Sequence, residues 1–215
     1  AEVALSMGNT AQAILACTAL LEENPRSAIA LALLSSCFAN QGEIAAAIEH
    51  LDAALAIAPD QPDLIARKIY FLDFLSEADF AVQQAARKSW WDAIGARLPQ
   101  RKLAPRQLDP GRRIVVGYVA AEFWYHSAAF GLLPVLRHHD HAKFEIVCYS
   151  CSPVRDEMTA EFKSAADVWV DAWQFSDDQL ADRIEADKVD ILIDVSGHSA
   201  GNRLQVFARK PAPVQ

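Results

Sequence analysis

Two histidines sit where this chain can do chemistry. His126 ends Ala121-Glu122-Phe123-Trp124-Tyr125-His126, directly after the apolar run Ile114-Val115-Val116-Gly117-Tyr118-Val119-Ala120. His198 lies in Ser196-Gly197-His198-Ser199-Ala200-Gly201-Asn202-Arg203, directly after Asp190-Ile191-Leu192-Ile193-Asp194-Val195. An imidazole titrates near neutral pH. His126 could therefore act as a general base, donate a hydrogen bond to a phosphate, or be a structural loop histidine. Gly197, His198 and Gly201 could wrap a phosphate at a helix start, where free N–H groups point outward. Their spacing is not G-x-G-x-x-G, and an ordinary strand-to-helix turn also fits it. Asp194, near the end of its strand, could orient that loop or receive a ligand hydroxyl.

Other reactive groups have plainer readings. Cys148-x-x-Cys151 falls in the apolar stretch Phe144-Glu145-Ile146-Val147-Cys148-Tyr149-Ser150-Cys151, a buried strand rather than the turn that a redox or zinc motif requires. His138, His139 and His141 cluster at a helix end, with spacing that does not share a helical face. No metal site is expected.

The elements that must carry the two histidines alternate. Strands are read at about 113–120, 143–151, 168–170 and 190–195, and helices at 127–139 and 157–166. A further helix is announced by Ser176-Asp177-Asp178-Gln179, where serine and glutamine can cap each other's N–H groups, with Leu180 and Ile184 as its buried stripe. Apolar strands alternating with amphipathic helices predict a parallel, Rossmann-like α/β lobe over residues 112–215. In such a sheet, ligands sit beyond the carboxyl ends of the strands, which is where both histidines fall.

The first half is built differently. Shifting the chain by 34 residues superposes Gly8 on Gly42, Ala13 on Ala47, Ile14 on Ile48, Leu21 on Leu55 and Pro25 on Pro59. A period of this length marks a helix-turn-helix repeat and is similar to the tetratricopeptide repeat. The complete unit, 28–61, places Leu31, Leu34 and Phe38 on one stripe, turns at Asn40-Gln41-Gly42, and continues through Ala47, Ile48, Leu51, Ala54 and Leu55. A degenerate third unit begins near Pro62 and turns at Ser76-Glu77-Ala78-Asp79, and Ala85–Trp91 reads as a capping helix. The expected organisation is helical repeats and cap over 1–95, a proline-bearing linker over 96–111 with Pro99, Pro105 and Pro110, then the lobe. The array is expected to extend before residue 1. Its groove suits an extended peptide or another protein, and a spacer or self-associating array is the alternative.

A hydrophobic fraction of 52% supports packed cores, and a net charge of −8 argues against non-specific nucleic-acid binding. No apolar run approaches the ~20 residues that span a bilayer. The opening residues read as mid-pattern helix rather than as a leader. A cytoplasmic protein with reduced thiols is expected, without membrane or nucleic-acid partners.

The 34-residue repeats, the proline linker, Val116-Gly117-Tyr118-Val119 leading into Glu122-Phe123-x-x-His126, and Asp194-x-x-Gly197-His198-x-x-Gly201-Asn202-Arg203 together resemble the protein O-GlcNAc transferase family, glycosyltransferase family 41. So does the closing Val206-Phe207-Ala208-Arg209-Lys210-Pro211-Ala212-Pro213-Val214-Gln215. The resemblance implies a bacterial-type, two-lobed GT-B glycosyltransferase. It would work without metal or cofactor and move a sugar from a nucleotide donor, by family default UDP-GlcNAc, to Ser or Thr of proteins. GDP-fucose and UDP-glucose are donors of relatives. His126 would lie in the active cleft, with Gly197, His198 and Gly201 in a second cleft loop. A homodimer is possible in such a family.

There are departures: Glu122 stands where the family usually has Asp, and Trp124 and Tyr125 are bulkier than usual. Leu33 and Ser36 take the places of an inner asparagine ladder, so peptide capture by that device is not expected. The second lobe, with most donor contacts, lies outside this sequence, so the chain is expected to be inactive alone. A repeat adaptor with an accessory α/β lobe is the competing reading.

Overall fold

The computed structural model describes residues 1–104 and 109–215. Pro105 and Arg106 of the expected linker lie outside them. The chain divides into Ala1–Ile94 and Gly95–Gln215.

The first unit consists of α1 (Glu2–Ser6), α2 (Thr10–Glu23), α3 (Ala28–Asn40), α4 (Ile44–Ile57), α5 (Pro62–Leu72) and α6 (Phe80–Ala93). Short polar side chains start the helices. Asn9 accepts from Gln12 N–H, Ser27 from Ala30 N–H and Asp79 from Val82 N–H, each satisfying a donor that has no partner within the helix. The turn glycines Gly8 and Gly42 have φ of +75° and +85°, a region other residues enter only with strain. Ala30, Ala47 and Ala54 are fully enclosed, so the helix backbones approach closely.

One expectation is corrected here. In α3 the enclosed residues are Ala30, Ala32, Leu34, Ser35 and Cys37, while Leu31 and Phe38 of the expected stripe are half-buried. The cause is that α3 is covered on two sides, by α2 through Cys17 and Ala30 and by the α4 side through Phe38. The helix read at Ala85–Trp91 is the interior of α6, which follows α5. Asp79 nucleates that helix, so the turn does without glycine.

In the second unit β1 (Ile114–Ala120), α7 (Ser127–Arg137), β2 (Phe144–Ser150), α8 (Glu157–Ala165), β3 (Val168–Asp171), α9 (Asp177–Ala186), β4 (Ile191–Asp194) and α10 (Leu204–Ala208) alternate. The sheet order is β3-β2-β1-β4, with every pairing parallel. Alternate side chains serve opposite faces. Val116, Tyr118, Ile146 and Cys148 pack with Leu133, Leu136 and Phe162 from α7 and α8. Val119, Val147, Tyr149 and Leu192 pack with Leu180 and Ile184 from α9. The Ser176–Gln179 capping box forms as read from sequence.

β1 pairs with β2 on one side and with β4 on the other, so the chain reverses its winding between β1 and β4. A crevice opens at such a switch point. Val119 lies opposite Asp194, which brings the loops following the two strands side by side. Gly117 packs tightly in β1: a Cβ there would lie 3.0 Å from Val189 and 3.1 Å from both Leu192 and Tyr149, so those side chains would have to give way by a few tenths of an ångström.

Candidate active site

The loop after β1 is fastened residue by residue. Ser196 Oγ accepts from Ala121 N–H at 3.0 Å. Phe123 is 1% exposed, and its carbonyl accepts from the buried Thr159 hydroxyl at 2.8 Å. The Trp124 indole donates to Ala121 O at 2.9 Å. Tyr125 N–H donates to Asp156 Oδ2 at 2.7 Å, and this bond is the chief cause holding that carboxyl below its ordinary range. His126 ends the loop as the N-cap of α7, half-buried, its ring 5.3 Å from that of Trp124. Its Nδ1 accepts from Ala128 N–H at 3.2 Å.

The loop after β4 is shaped by its glycines and by Asp194. Gly197 and Gly201 have φ of +56° and +80°, and a Cβ on Gly201 would lie 3.0 Å from the Ala121 Cβ. The Gly197 N–H, a candidate phosphate donor from sequence, donates to Asp194 Oδ2 at 3.0 Å. Asp194 Oδ1 is buried with no hydrogen-bond partner among the described residues. Burial pushes this carboxyl up to about 6. His198 is half-buried in the same loop. Arg203 is committed elsewhere, to Asp177 at 2.6 Å and Phe175 O at 2.8 Å.

The two loops meet through a residue that sequence reasoning noted only as a departure. Glu122 is 7% exposed; Oε2 accepts from Ser196 Oγ at 2.6 Å and Oε1 from Ser199 Oγ at 2.9 Å. A carboxylate inside the apolar run Val119-Ala120-Ala121 and Phe123 was the available signal, because such a group must find donors. Asp156 and Thr159 gave no comparable signal; a capping box at a remote helix does not say which loop it will hold.

Residues outside the crevice find ordinary partners. His138 bonds Pro134 O, His139 bonds the Tyr118 hydroxyl at 2.7 Å, and His141 bonds Asp167, so the three diverge. Burial raises both the Cys148 and Cys151 thiols, the latter to about 11, so neither is a thiolate at neutral pH. Arg209, read from sequence as a helix-terminal cation, is buried and grips Asp178 at 2.7 Å as well as Gln205 O.

The profile of glycosyl transferase family 41 matches residues 98–215, and a tetratricopeptide-repeat profile matches residues 1–62. The chain belongs to glycosyl transferase family 41. Both crevice loops, and every residue that fastens them, fall inside the family 41 match. A solved mutant of the Thermobaculum terrenum O-GlcNAc transferase is similar over 98% of this chain and 40% of its own, with a TM-score of 0.91 and 30% identity. The probable UDP-N-acetylglucosamine–peptide N-acetylglucosaminyltransferase SPINDLY of Arabidopsis thaliana is 30% identical over 74% of this chain and 18% of its own length. Its SEC counterpart in the same plant is 32% identical over 48% of this chain. This family 41 chain thus spans less than a fifth of the length of these curated relatives.

Proposed function

We propose that this chain is the repeat-bearing portion and first catalytic lobe of a protein O-glycosyltransferase, with UDP-GlcNAc as donor and Ser or Thr hydroxyls as acceptors. The observation that carries the reading is the meeting of the β1 and β4 loops at the switch point of the sheet, within the family match. In the reaction, the acceptor oxygen forms a bond to the anomeric carbon, and the bond from that carbon to the diphosphate breaks. The nucleoside diphosphate leaves and the acceptor proton passes to a base. The nucleotide sugar is a substrate, and no further cofactor is assigned. The acceptor protein is assigned to the repeat groove, which the tetratricopeptide match supports. We place the protein in the cytoplasm, a compartment suited to its four free thiols. Among the described residues, no helix is long and apolar enough to cross a membrane.

We assign His126 the role of donor rather than base. Its Nδ1 accepts a backbone N–H, which supports a neutral ring carrying its proton on Nε2. Such a ring donates to a ligand oxygen. The glycine loop around His198 is assigned to the donor side of the crevice, with Gly197 and Gly201 setting its backbone path.

The test is incubation of the complete protein with UDP-GlcNAc, GDP-fucose or UDP-glucose and a set of Ser/Thr peptides, read by mass spectrometry. Peptide modification from UDP-GlcNAc is expected to lead. Binding of partner proteins with no transfer from any donor would favour the adaptor reading instead.

A further inference from the structure

We propose that Glu122 is a positioning residue that makes the loops after β1 and β4 behave as one body. Each carboxylate oxygen holds a different serine, Ser196 at 2.6 Å and Ser199 at 2.9 Å. These two serines bracket the turn that contains Gly197 and His198, closed by Ser199 N–H to Ser196 O at 3.0 Å. The Ser196 hydroxyl is also fixed in direction, since it accepts from Ala121 N–H while donating to Glu122. Backbone and side chain of the first loop therefore grip the same serine.

Gly201 against Ala121 leaves little space at the far end of the contact. His126 is four residues beyond Glu122, and Phe123, between them, is locked by Thr159. A displacement of the His198 turn must then either break a charge-assisted hydrogen bond or carry the His126 loop with it. Both serines are reached at the length of glutamate, and aspartate, one methylene shorter, is expected to release one of them.

The meaning of this coupling for sugar transfer rests on the function proposed above; the coupling itself does not. Two measurements separate them. The first uses the 215-residue chain without substrate: hydrogen–deuterium exchange of residues 196–202, with NMR of the His126 and His198 rings. Ser199→Ala, which leaves the carboxylate one partner, should speed exchange there by ~10-fold, the size expected for loss of a hydrogen bond to a charged acceptor. It should also shift the His126 resonance on the other loop. Glu122→Ala should do more, and adding Ser199→Ala to it should do nothing further, while Glu122→Gln restores part of the protection. If Glu122→Ala does not fold, Ser199→Ala and Glu122→Gln decide alone. Unchanged exchange, or a His126 ring blind to Ser199→Ala, would overturn the proposal. The second measurement uses the complete enzyme: Glu122→Asp should lower kcat by ~10-fold, as imperfect positioning does, with the donor KM little changed. An unaltered kcat would overturn the role of the coupling in sugar transfer, while the exchange result decides the coupling itself. A wild-type protein that transfers no sugar fails the functional reading alone, and the exchange experiment still decides the coupling.

Discussion

The repeat unit and the α/β lobe fill their cores with a different balance of side chains. In the repeats many of the tightest positions are small: Ala13, Cys17, Ala30, Cys37, Ala47 and Ala54 are at most 1% exposed, beside the bulkier Leu51 and Ile69. Backbone meets backbone there, and the pattern recurs along the chain. In the lobe more of the enclosed positions are bulky, with Tyr149, Phe162, Leu136, Ile146, Leu180 and Ile184 filling the two faces of the sheet beside small residues such as Ala129 and Ala181. The lobe also places polar contacts across long sequence distances, as between Glu122 and Ser199, 77 residues apart. The alanines between repeat helices therefore leave little room for larger side chains, and the rings at the centre of the lobe tolerate little loss of bulk.

Three substitutions would sharpen or break that contrast. Phe162→Ala should cost the most, about 3–5 kcal/mol by urea unfolding, because it empties the centre of one sheet face and removes the ring that meets Phe123 edge-on at 5.0 Å. A cost near zero would mean that the lobe does not depend on bulk. Ala47→Leu should cost about 1–3 kcal/mol, since the added atoms have no space between the helices. Indifference to the larger side chain would show slack in the repeats.

Asp194→Asn should have a smaller and opposite effect. Its carboxyl is raised to about 6 in the fold, so the folded state holds the proton more firmly than the unfolded one. Stability from this group is present at low pH and is lost as pH rises from the ordinary value of 3.8 through about 6. The asparagine variant, free of that ionisation, should be more stable than the wild type by on the order of 1 kcal/mol at pH 8, after allowance for partial water access. The advantage should vanish near pH 4. A variant less stable at pH 8 would show that the Gly197 and Ser196 N–H groups outweigh the cost of burying the charge.

The same contrast explains what a single sequence could reveal. The repeats were legible because Gly8 and Gly42, Ala13 and Ala47, and Pro25 and Pro59 restate one another at a fixed offset. The strands and helices of the lobe were legible because their apolar periods are local. Both candidate histidine loops could be placed at strand ends for the same reason. What joins those loops was legible only as a carboxylate, Glu122, amid apolar neighbours. Its partners Ser196 and Ser199 are brought to it by the parallel pairing of β1 with β4, and Asp156 and Thr159 reach the same loop from the start of α8, after β2. The third unit was legible from Pro62 and its turn at 76–79, where the Asp79 side chain caps α6 in place of a glycine turn.

The most direct measurement is sugar transfer by the complete protein carrying His126→Ala or His126→Gln. Alanine should lower turnover at least ~100-fold, as loss of a transition-state donor does. Glutamine, which still offers an N–H, should recover a substantial part of it. Turnover unchanged by His126→Ala would contradict the placement of the active site at the meeting of the β1 and β4 loops.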